Sequence, residues 1–244
     1  MARICNDAWR TKARFHVIGL AERTTSLLQG QRGAMQEPTR VFLLRHGETD
    51  WNAAQRLQGH ADIPLNALGR WQAEQLGQVL ASEHIAAIYS SDLQRAHATA
   101  LPLARRLQQT VHTDVALRER HFGRLEGLTY AEVDQHHPDD ARGWRQRVPH
   151  FAPGGGESLS AFFARSVATV TRLATPHGGQ AIAVVAHGGV LDCLYRAAAG
   201  IELQAPRTWQ LGNASVNRLL FTGSGFVLVG WNDDAHLDGA LSAP

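Results

Sequence analysis

The apolar run Val41-Phe42-Leu43-Leu44 and the longer run Ala181-Ile182-Ala183-Val184-Val185-Ala186 carry no polar side chain. Successive residues of a strand point to opposite faces of a sheet, so such runs predict strands buried on both sides. Ile85 to Ser90 reads as a further short strand, Val111 to Thr113 as another, and Val216 to Phe221 with Phe226 to Trp231 as a closing hairpin. Between them the apolar period lengthens. Leu68, Trp71, Leu76, Val79 and Leu80 recur at helical spacing after Leu65-Asn66, which predicts a helix through about Leu80. Ser91-Asp92 offers N-cap chemistry for a helix to about Leu107, Thr129 caps one containing Ala131 to His136, and Pro138 opens another. Helices are also predicted over Ser158 to Leu173 and Leu191 to Ala199, with Pro153 to Gly156 as a flexible stop before the first of these. Gln55 to Pro64 reads as a loop, Leu117 to Gly156 as loop and short helix, and Asp233 to Pro244 as a tail. Strands alternating with helices predict an α/β fold: a three-layer sandwich whose mostly parallel central sheet is covered by helices on both faces.

Composition narrows the class. A chain of 244 residues, 44% hydrophobic and 19% charged, is ordinary for a soluble globular protein with a sizeable core. No apolar run approaches the roughly 18 residues that span a bilayer. Cys5 and Cys193 are too few for a disulfide framework and lack metal-ligand spacing, so a cytoplasmic location is the default. The net charge of +2 is uneven: residues 1–37 hold five Arg, one Lys and three acids (+3), whereas residues 38–244 hold eighteen Arg and nineteen acids (−1). A nearly neutral domain argues against nucleic acid or a membrane surface as partner. Residues 1–37 lack clear helix or strand punctuation and a long apolar segment, and are expected to be a dispensable or disordered extension before a catalytic domain over 38–244. Met35, five residues before the first strand, is the expected natural start.

Two of the buried-type strands end in His-Gly: Leu44-Arg45-His46-Gly47 and Val185-Ala186-His187-Gly188. In a parallel sheet both ends open to the same side, where ligands of α/β folds gather, so two imidazoles can meet over one pocket. Either histidine alone is more often structural; their matched placement changes that. Arg95 follows another strand end, in the first turn of its helix, where free N–H groups, helix dipole and guanidinium favour an anion. Glu119 lies between Arg118 and Arg120 in a loop broken by Gly123 and Gly127. His60, His112, His121, His136 and His137 show no zinc-enzyme spacing and are expected mostly at the surface.

Taken in order, Arg45-His46-Gly47 with Trp51-Asn52, Ser91 to Ala100 with its arginine, Glu119 before Phe122-Gly123, and Ala186-His187-Gly188 resemble the histidine phosphatase (phosphoglycerate mutase-like) family over nearly all of residues 40–231. The resemblance implies His46 as the nucleophile that becomes phosphohistidine, with Arg45, Arg95 and His187 in the phosphate pocket and Glu119 as general acid. It also implies Asn52, Gln58 and Gly188 as substrate contacts, and no metal or other cofactor. The residue types suit the chemistry. A nucleophilic histidine must be neutral, and nearby arginines favour that form. Planar guanidinium forks match the charge spread over the phosphoryl oxygens, and a carboxylic acid protonates the departing alkoxide. The expected activity is hydrolysis of a small phosphorylated metabolite by a monomer or homodimer. The alternative is a cofactor-dependent phosphoglycerate mutase. Against it, Gly127 to Gly156 is short, its Arg142, Arg145 and Arg147 read as a solvated helix face, and Leu57-Gln58-Gly59-His60 departs from the mutase pattern. A phosphate-binding regulator without turnover is a third reading, which the full set of reactive residues disfavours.

Overall fold

The computed structural model describes residues 37–238. Apart from Glu37, the expected extension lies outside the described residues, as do Met35 and positions 239–244 of the expected tail. Six strands form one sheet in the order β3-β2-β4-β1-β5-β6. β1 (Thr39–Arg45), β2 (Ile85–Ser90), β3 (Val111–Thr113) and β4 (Ala181–Ala186) are parallel; β5 (Val216–Phe221) and β6 (Phe226–Asp233) add an antiparallel hairpin beside β1. The helices are α1 (Asp50–Ala53), α2 (Ala67–Leu80), α3 (Gln94–Leu107), α4 (Tyr130–His136), α5 (Pro138–Arg145), α6 (Leu159–Ala174) and α7 (Gly188–Ala199).

The all-apolar strands sit between two cores. On β1, Val41 and Leu43 pack with residues of α6 and α7, while Phe42 and Leu44 pack with residues of α2 and α3. β4 repeats the division: Ile182, Val184 and Ala186 face one core, and Ala181, Ala183 and Val185 the other. A polar residue anywhere on either run would enter a core, which is why neither run alternates. Each of Phe42, Leu43 and Leu44 is fully buried and contributes about 1.5–3 kcal/mol of transfer free energy.

The structure departs from the expected pattern in four places. α3 is capped by Leu93 rather than by Ser91-Asp92. Asp92 is drawn away to Arg118 (2.8 Å), and the first N–H of the helix, on Gln94, donates instead to the Asp62 carboxylate at 2.7 Å. α7 begins three residues earlier than expected, directly on His187. A short helix absent from the periodicity, α1, is closed by a reciprocal cap between Thr49 and Asn52. Finally, Pro153 to Gly156 is a packed turn rather than a flexible stop: Pro153 and Gly154 are buried, and the Gly154 N–H donates to Asp140 Oδ1 at 3.2 Å.

The turn after β1 lies hard against the start of α2. A Cβ built on Gly69 would come 2.0 Å from the Glu48 carbonyl oxygen, and one on Gly47 would come 2.4 Å from that of Gly69. Backbone cannot yield there without moving the end of β1. Gly69→Ala is therefore expected to destabilise the fold by about 1–3 kcal/mol, the usual cost of forcing a methyl into a packed contact. A urea midpoint indistinguishable from wild type would show that the turn yields freely.

Candidate active site

The pairing of β1 with β4 sets where both histidines stand. Arg45 lies opposite Ala186, and the His46 N–H donates to the Ala186 carbonyl at 3.0 Å. Both strands stop at the same level, so both His-Gly ends emerge side by side. The His46 and His187 rings stand 5.2 Å apart, tilted by 57°.

Each ring is held in one tautomer. His46 Nδ1 is 2.7 Å from the Gly47 carbonyl, which can only accept; Nδ1 therefore carries the proton and Nε2 the lone pair. His187 is the reverse. Its Nδ1 accepts from Arg95 Nε at 3.3 Å, which leaves the proton on Nε2, a buried group with no partner among the described residues. Burial, reinforced by Arg95 and Arg45, holds the His46 pKa well below the ordinary imidazole value, although the Gly47 carbonyl opposes this. His187 is lowered in the same way, by burial first and then by Arg95, His46 and Arg45. Both imidazoles are neutral near pH 7.

Around them lies a cavity of about 260 Å³, lined by Arg45, His46, Asn52, Gln58, Arg95, Glu119 and Gly188 among others. Arg45 donates through Nη1 to the Leu211 carbonyl, and its buried Nε has no partner among the described residues. Fully buried Arg95 donates to the carbonyls of Ala61 (2.7 Å) and Gly59 (2.8 Å) as well as to His187, leaving two of its five N–H bonds uncommitted. Burial brings its pKa down to about 10, so it remains a cation. Asn52 Oδ1 is taken by Thr49 (3.1 and 3.0 Å) and Asn213 (3.3 Å), which leaves its NH₂ group for the cavity. Gln58 Oε1 is buried without a partner among the described residues, and a half-turn of the amide would present donors instead. Unmatched donors and cations around one space suit an anion.

Glu119 faces this group from the opposite chain segment. Its Oε2 accepts from the Gly189 N–H (2.9 Å) and its Oε1 from the Arg120 N–H (2.8 Å). The contact requires glycine at 189, because a Cβ there would fall 2.1 Å from Glu119 Oε1. The start of α7 thus offers Gly189 to the acid while Gly188 lies beside Arg45. Two further carboxylates, close in sequence to His46 and to Glu119, are committed elsewhere. Glu48 accepts from Asn66 (2.9 Å), and Glu126 from the N–H groups of His60 and Phe122 (3.0 Å each). Neither lines the cavity.

All eight expected site residues come together, His187 buried directly beside the lining. Two details differ. The open helix end is that of α7, because Asp62 already occupies the start of α3. Arg147 is not on a solvated face: it lies beyond α5, lines the cavity and pairs with Asp192 at 2.9 Å. Sequence reading missed Asn213, which donates to the His46 carbonyl (3.0 Å), and His60, whose Nε2 meets the Glu119 carbonyl at 2.9 Å. It also missed Tyr130 and Arg207 on the outer wall. No periodicity or spacing marks any of these four. Among the described residues no group of three or more His, Cys, Asp or Glu side chains is placed to hold a metal ion.

Residues 41–234 match the sequence profile of the histidine phosphatase superfamily (branch 1). Phosphoglycerate mutase-like protein 4 of Arabidopsis thaliana is 39% identical, over 81% of this chain and 86% of its own length. The metal-independent phosphoserine phosphatase of the same plant is 37% identical, over 82% and 84%. Among solved structures, a mycobacterial glucosyl-3-phosphoglycerate phosphatase in complex with VO₃ superposes with a TM-score of 0.72 at 36% identity, covering 80% of this chain and 99% of that one. A profile that spans both His-Gly strand ends, with relatives this similar over four-fifths of the chain, shows that the protein belongs to the histidine phosphatase superfamily.

Proposed function

We propose that the protein is a phosphomonoesterase that transfers the phosphoryl group of a small phosphorylated metabolite to His46 and then to water. The observation that carries this reading is the opposed pair of tautomers. His46 presents a lone pair at Nε2 and His187 presents an N–H, both neutral and 5.2 Å apart by ring centroid, beside two arginines. A nucleophile and an oxyanion donor are thereby set without any proton needing to move first.

In this reading, His46 Nε2 attacks phosphorus, the P–N bond forms and the ester P–O bond breaks. The departing alkoxide takes a proton from Glu119. Positive charge arising on the His46 ring is stabilised through Nδ1–H by the Gly47 carbonyl, and the equatorial oxygens are met by Arg45, Arg95, His187, Asn52, Gln58 and the N-terminal turn of α7. Glu119, now a carboxylate, removes a proton from water as it attacks the phosphohistidine, which releases inorganic phosphate and restores His46. Named relatives that hydrolyse phosphate esters support this over the mutase alternative. So does the outer cover: Arg142 and Arg145 pair with Asp139 and Asp134 on the surface.

Four outcomes test the reading. His46→Ala should retain less than about a hundredth of wild-type kcat/KM with an unchanged circular dichroism spectrum. Wild type given a labelled phosphomonoester should carry acid-labile, base-stable label at position 46; absence of that label would falsify the covalent route. Glu119→Gln should slow alkyl phosphates far more than nitrophenyl phosphate in the burst phase, since a nitrophenolate leaves without a proton. An equal fall for both would make Glu119 an organiser of its loop. The lowered pKa of His46 means that acid protonates it only well below the usual value. Burst rates with nitrophenyl phosphate should thus stay within about threefold between pH 7.5 and 5.5, where an ordinary imidazole would be only about one-tenth neutral. A tenfold loss across that range would place the nucleophile's pKa near that of free histidine.

A further inference from the structure

The cavity is larger and more positive than one phosphoryl group needs. Six arginines line it, at positions 45, 56, 95, 120, 147 and 207, against the carboxylates of Glu119 and Asp192. Four of the six are accounted for: Arg45 and Arg95 flank the histidines, Arg56 pairs with Glu132 at 3.1 Å, and Arg147 pairs with Asp192 at 2.9 Å. Arg120 has no carboxylate partner, but it is buried and donates to the carbonyls of Glu157 (2.9 Å) and Phe151 (2.8 Å), which commits it to holding the wall. Arg207 is different. It is exposed on the rim, and its side chain has no hydrogen bond or ion pair among the described residues. It lines the same cavity as Arg45 and the aromatic side chains of Phe122, Tyr130 and Trp144, near enough to Arg45 and Tyr130 for its charge to act on both.

The loop that bears it is anchored. Two residues on, Trp209 is stacked on Tyr195 with centroids 4.1 Å apart and covered by the Arg196 guanidinium at 4.8 Å. The Leu211 carbonyl accepts from Arg45, and the Gly212 N–H donates to Asn232 Oδ1 at 2.6 Å. The anchored backbone fixes where the guanidinium can reach, so binding orders the side chain but not the loop.

We infer that Arg207 is a specificity-determining residue that binds a second anionic group of the substrate, a carboxylate on the part of the molecule that leaves with the alcohol. This rests on the phosphomonoesterase reading and names its substrate class: phosphate esters of small hydroxy or amino acids. A carboxylate is favoured over a second phosphate because the one guanidinium of the wall without a carboxylate or carbonyl partner among the described residues matches a planar monoanion in a two-point fork.

The test compares esters that differ only in that group: 3-phosphoglycerate against glycerol 3-phosphate, and phosphoserine against phosphoethanolamine. In at least one pair the wild-type kcat/KM should favour the acid, and Arg207→Gln should reduce that ratio tenfold or more, mainly through KM, with Arg207→Lys recovering part of it. Ratios within threefold of wild type in both pairs would overturn the inference. So would an equal fall on all four esters, which would assign Arg207 to the transferred phosphoryl group. Calorimetric binding of 3-phosphoglycerate and phosphoserine to the His46→Ala protein, with and without Arg207→Gln, separates the two readings. If wild type hydrolyses none of the four esters, nitrophenyl phosphate decides the phosphatase reading, and the inference stands or falls separately on whether Arg207→Gln weakens binding of either acid about tenfold.

Discussion

One hydrogen-bonded register organises this protein. Setting Arg45 opposite Ala186 makes β1 and β4 end together, and the bond from the His46 N–H to the Ala186 carbonyl carries the pairing one residue past the strand. A slip of one residue would turn every side chain of β1 to the other core and carry one histidine away from its partner. The slip is prevented by Val41 and Leu43 on one face and Phe42 and Leu44 on the other, all fully buried. The position of the two rings is thus determined by packing several residues away from them.

The electrostatic state of the rings follows from the same burial. Removing an imidazole from water disfavours its charged form, and two nearby guanidinium groups push the same way. Arg95 does three things at once: it keeps both histidines neutral, fixes the His187 tautomer, and ties the Gly59–Ala61 loop to the sheet. Its cost is a cation taken wholly out of bulk solvent, which the carbonyl contacts and an incoming anion offset.

Much of this was legible in the chain because it depends on short-range rules. The strand bounds Ile85–Ser90 and Ala181–Ala186 follow from largely apolar runs, and the Thr129 cap follows from its own chemistry. Arg45, His46 and His187 were legible because each lies within two residues of the end of such a run. What was not legible depends on distant chain segments. Asp62 displaces Ser91-Asp92 as the cap of α3 from 32 residues away, a partnership that no local pattern encodes. The roles of Asn213 and Arg207 depend on the irregular stretch between α7 and β5, whose path is set by Trp209 stacking and by the Arg45 bond to Leu211. Arg147 reads as one more arginine of a polar helix until Asp192, 45 residues later, turns it inward.

The first turn of α7 carries Gly189, which holds Glu119, and Gly188, which lies against Arg45. Glu119 and Arg45 are therefore both placed by one helix start, continuous with the central strand β4. The outer wall has a separate origin: Tyr130 and Trp144 come from α4 and α5, and Arg207 from the stretch after α7. Insertions or exchanges in those outer segments would remodel the outer side of the cavity without disturbing the spacing between His46 and Glu119. Such a division lets one reaction centre be inherited intact while the molecules it serves diverge.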